Sequence, residues 1–193
     1  EGTGRTAPAP SREAVVAELA AGSPDDRCRV VQLLESSAPV REAQRDAAIA
    51  HVEATLRTPR PSPDDIALAL IGLRDIRVRD TVLWDLLDEE VGTWARFADT
   101  LASVVRVAPD DEVAPAATLL AVLRWQTGDG TRAVIALDRA LAAEPGYTLA
   151  SLVAALVSSG VDPRTWLADL RDMSREACRR PESPVERRGT PGV

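Results

Sequence analysis

Ser-Pro-Asp-Asp occurs twice, at residues 23–26 and 62–65, each time ahead of an apolar run. The order of residues is that of a helix start. A serine side chain accepts a hydrogen bond from a first-turn amide. Proline fits the first helical position, where its missing N–H costs nothing. The two acids meet the positive end of the helix dipole. After the first copy, Val30, Val31, Leu33 and Leu34 form an apolar face. Similar punctuation runs along the chain. Ser11, Glu13 and Gly22 bracket one helix, and Asp162 followed by Pro163 opens the last. Ile49, Val52 and Leu56 share a face before Pro59, Pro61 and Pro63 end their helix. Trp94, Phe97, Leu101 and Val104 or Val105 make another stripe. No stretch alternates apolar and polar residues with β-branched enrichment, so no strand is expected. The pattern predicts an all-α chain, a right-handed helical array of about nine or ten helices.

Composition narrows the chemistry. Apolar residues make up 45% of the 193, but aromatics only 3%, so the core must be Ala, Leu and Val. Lysine and asparagine are absent. Schiff-base and phosphate-loop lysine chemistry is therefore excluded. The net charge of −7 argues against a duplex-binding surface, and no nucleic-acid partner is expected. Cys28 and Cys178 lie far apart and make neither a zinc spacing nor a disulfide framework; they are read as free thiols in a reducing compartment. No apolar run is long enough to cross a membrane, and a cytoplasmic location is expected. His51 is the only histidine, so no metal and no cofactor are expected. The first residue is Glu, and the chain is expected to begin within a longer protein or after processing. Residues 1–10 read as a linker, 11–180 as the helical domain, and 181–193 as a disordered tail.

The stretch GDGTRAVIALDRALAAEPGY, residues 128–147, poses a choice. Gly128-Asp129-Gly130 could cradle a phosphate or simply join two helices. A phosphate loop follows a strand, whereas the segment before Gly128 has helical spacing. The expected arrangement is a turn with Gly128 in left-handed geometry. With Ala114 as first position of a 34-residue unit, Ala121, Ala133, Ala140 and Pro145 match the small and proline positions of a tetratricopeptide repeat. Ala117 and Arg124 depart from it. One unit cannot bury its own face, so upstream helices must cover it.

LRDIRVRDTVLWDLL and the run from Pro115 to Trp166, with APSREAVVAEL near the start, resemble the C-terminal half of the actinobacterial proteins grouped as domain of unknown function 4192. The resemblance implies a missing N-terminal α/β half and a high-GC bacterial cytoplasm. It implies no reaction.

Two places are candidates for binding. In RDIRVRD, Arg77, Arg79 and Asp80 form either a salt-bridged helix corner or an anion-reading site built on guanidinium forks. Trp125, with Arg124 beside it, and Trp84 are either core anchors or ring faces for a peptide. The paired acids before helices read as caps, and no catalytic residue is expected. The functional reading is a non-enzymatic interaction module that binds a protein segment or its own N-terminal half. The alternative is the helical subdomain of an enzyme whose catalytic residues lie in that half.

Overall fold

The start signals act locally much as their chemistry dictates. The computed structural model describes residues 11–20 and 22–179. The expected linker at 1–10 and tail at 181–193 lie outside them. Ser23 accepts from the Asp26 amide at 3.3 Å and opens a helix at Pro24. Ser62 and Asp65 exchange hydrogen bonds as a capping box and open another at Pro63. Asp162 accepts from the Arg164 amide at 2.8 Å, with Pro163 next.

Eleven α-helices and one short 3-10 turn follow among the described residues, with no strand. They are α1 (Arg12–Ala20), α2 (Pro24–Glu35), α3 (Arg45–Arg57), α4 (Pro63–Leu73), α5 (Ile76–Asp88) and α6 (Val91–Val107). After these come α7 (Val113–Gln126), α8 (Gly130–Ala143), α9 (Thr148–Ser158), α10 (Pro163–Asp172) and α11 (Arg175–Arg179). The all-α class matches the expectation.

Helix α7 is apolar all round, and it is buried all round. It packs on α4, α5, α6, α8, α9 and α10. Small side chains allow the close approach: Ala116, Ala117, Ala121, Ala133, Ala136 and Ala140 are all fully buried where α7 and α8 meet their neighbours. The chain also returns on itself, because α1 lies across α6 and α8. A one-dimensional stack of helix pairs would not make that contact.

Two glycines serve this packing. Gly128 has φ +81° and turns the chain from α7 to α8. Gly22 lies against the α6 backbone, where an added Cβ would overlap the Arg106 carbonyl oxygen and sit 2.9 Å from its carbon. Gly22 thus lets the segment after α1 touch the end of α6.

Candidate functional site

The six residues singled out from sequence do not form one surface. Trp125 is 6% exposed, and its ring meets Trp166 of α10 at 5.7 Å. This leaves no ring face for a partner. Arg124 donates to Asp99 of α6 at 2.7 Å. Trp84 donates its indole N–H to the Met173 carbonyl at 3.0 Å, under the link between α10 and α11.

The arginine corner is mostly engaged internally. Asp75 caps α5 by accepting from the Arg77 and Val78 amides at 2.8 and 3.2 Å. Arg74 forks onto Glu112 at 2.8 and 2.5 Å. Arg79 is 9% exposed, pairs with Asp80 at 2.6 Å and donates to the Tyr147 hydroxyl at 2.8 Å. Burial opposes the Arg79 charge, but Tyr147 and Asp80 more than offset it and hold its pKa above the ordinary value. The Arg77 side chain is half-buried and makes no ion pair among the described residues. The three arginines therefore do not present one cationic face.

Gly128-Asp129-Gly130 is a turn. The Asp129 carboxylate accepts from the Arg132 amide at 3.1 Å and from its guanidinium at 2.9 Å. The chain's own anion already holds that helix N-terminus. Among the described residues, no His, Cys, Asp and Glu cluster is arranged for a metal ion. Both cysteines are free; Cys178 is buried, which raises its thiol pKa.

A different place combines apolar surface with unused charge. A cleft of about 400 Å³ lies between α1, the start of α2, the last turn of α6, and α8. Val16, Leu19, Val105 and Ile135 give it apolar walls. Val16 remains 48% exposed. Arg12, Arg27, Arg106 and Arg139 stand around it. Arg12 pairs with Asp138 at 2.5 Å. Arg139 and Arg27 share one carboxylate, Asp110, at 2.6 and 3.2 Å. These two donors, Arg139 first, hold the Asp110 carboxyl below the usual carboxylate range. Arg106 is half-buried and has no ion pair among the described residues. Four guanidiniums thus face two carboxylates, in a chain of net charge −7.

A family model matches residues 3–164. The chain belongs to the family described as domain of unknown function (DUF4192). No curated protein and no solved structure matches it. Every residue of the arginine-rimmed cleft lies inside the matched DUF4192 span, whereas Trp166 and α11 lie beyond it. Nothing local in the sequence announced the cleft. Arg106 follows an apolar run alone, and its companions come from three other helices.

Proposed function

We propose that this DUF4192 domain is a non-catalytic interaction module that binds an acidic, apolar protein segment in the α1–α6–α8 cleft. The observation that carries this reading is Arg106, a half-buried cation with no ion pair among the described residues, beside exposed Val16. An incoming carboxylate would complete Arg106. A second could draw Arg27 from Asp110, which Arg139 would still hold. Apolar side chains of the segment would cover Val16 and Leu19. Local positive charge on an acidic protein steers acidic partners to one place and leaves the rest repulsive.

The non-catalytic part of the reading is supported by how the reactive side chains are used. Asp65 and Asp75 cap helices. The His51 ring lies 3.3 Å from the Asp65 carbonyl, at the α3–α4 contact. The burial of Ala121, Ala133 and Ala140 supports reading α7–α8 as a tetratricopeptide-like pair serving as scaffold.

The test is fluorescence anisotropy with a short labelled helical peptide carrying Leu on one face and Glu beside it. The full chain should bind it, and a Lys-for-Glu version should not bind. Arg106→Gln should weaken binding about tenfold, which corresponds to ~1.4 kcal/mol, and Arg106→Lys should recover part of it. Equal affinity for both peptides would defeat the proposal.

A further inference from the structure

A second space, of about 480 Å³, lies between the end of α3 and the first half of α6. It shares no residue with the α1–α6–α8 cleft. Its size falls in the range of pockets that take small molecules. Leu56 and Phe97, both buried, close its floor, and exposed Pro59 with the aliphatic stem of Arg57 gives its apolar wall. The Arg57 guanidinium lies over the Phe97 ring, 5.8 Å from its centroid.

The charges around it nearly all have partners. Arg57 meets Glu53 at 3.3 Å and Glu89 at 2.5 Å. Asp99 is met by Arg124 at 2.7 Å. Arg96 is the exception: exposed at the mouth, it lines the space and has no ion pair among the described residues. The Thr93 hydroxyl lines the same wall and donates to the Glu90 carbonyl, which leaves its oxygen free to accept. The site therefore offers an apolar wall, a stacked guanidinium and one cation with no ion pair among the described residues.

We propose that this cavity binds a small organic monocarboxylate with a flat apolar body. The body packs on Pro59 and the Arg57 side chain, and the carboxylate pairs with Arg96. Glu89 and Asp99 on the rim select against anions of higher charge, because each added negative charge meets them without a further free cation. An amine would meet Arg96 as a like charge. The cavity holds a compact ligand rather than a chain segment, so this site is separate from the protein-binding cleft.

Calorimetric titration of the full chain with phenylacetate, phenylacetamide and phenethylamine tests the assignment. Phenylacetate should bind best. Its advantage over the amide should be roughly two- to five-fold, the size of an exposed ion pair. Arg96→Gln should remove that advantage and leave the amide's affinity unchanged. Thr93→Trp, which fills the cavity from a partly exposed position, should abolish binding of all three while the thermal unfolding midpoint stays near that of the parent. No measurable heat with phenylacetate would overturn the proposal. So would equal affinity for acid and amide in the parent chain, or phenylacetate binding that survives Thr93→Trp.

Discussion

At the scale of single residues, aromatic rings and charged groups divide the work. Trp125 is a core residue in contact with Trp166, so Trp125→Ala should cost about 3–5 kcal/mol, measurable by denaturant unfolding. A loss below about 1 kcal/mol would mean the ring is dispensable to packing. Glu53 gives a pH signature. Burial, then the neighbouring Asp85 carboxylate, raises its pKa above the ordinary 4.5, and Arg57 only partly opposes this. A raised carboxyl favours its protonated form in the fold. Its stabilising contribution is full below pH 4.5 and is lost as pH rises through the folded value. Glu53→Gln, neutral throughout, should therefore gain stability relative to the parent as pH rises toward neutrality. The gap should close near pH 4.5. A constant gap across pH would refute the assignment. The sequence placed Trp125 beside Arg124 and so made a peptide anchor reasonable. It could not show that Trp166, on a later helix, covers the ring. Arg106 was invisible for the converse reason: what makes it unusual is that no described residue pairs with it, and that has no sequence pattern.

At the scale of elements, helix ends were the most legible feature, the start of α1 included, and the docking of α1 the least. Ser23, Ser62, Asp162 and Gly128 act through neighbours within a few positions, so their roles follow from short-range chemistry. Asp75, within RDIRVRD, caps α5 and also accepts from Arg45 at 2.9 Å. Helix α1 has nine residues, fewer than an isolated helix needs to be stable in water. It is held by buried Val15, partly buried Leu19 and exposed ion pairs from Arg12 and Glu18. Such pairs are worth only ~0–1 kcal/mol each. Gly22 lets the segment after α1 approach the Arg106 backbone, where a Cβ would not fit. Gly22→Ala should raise amide exchange in residues 12–20 and weaken peptide binding in the cleft. Exchange in α7 should stay unchanged. Unaltered exchange in α1 would show that the docking does not depend on this approach.

At the scale of the whole molecule, α7 organises the fold and charge organises its surface. Six helices surround α7, and Ala-rich packing lets them come close without aromatic filler. An all-α chain with a small-residue core was readable from composition and spacing. The return of α1 onto α6 and α8 was not, because it is a long-range contact between segments that carry no complementary motif. That return creates the cleft. The surrounding protein is acidic, so binding there should weaken steeply with added salt, as a locally electrostatic association does. The central claim is that partners enter between α1, the last turn of α6 and α8. Hydrogen exchange of the full chain, with and without the Leu–Glu peptide, tests it most directly. The expected result is protection in residues 12–20, 104–107 and 130–143, and little change in α4 or α9. Protection confined to α9, or to the end of α3 and start of α6, would place the interaction surface elsewhere and contradict the claim.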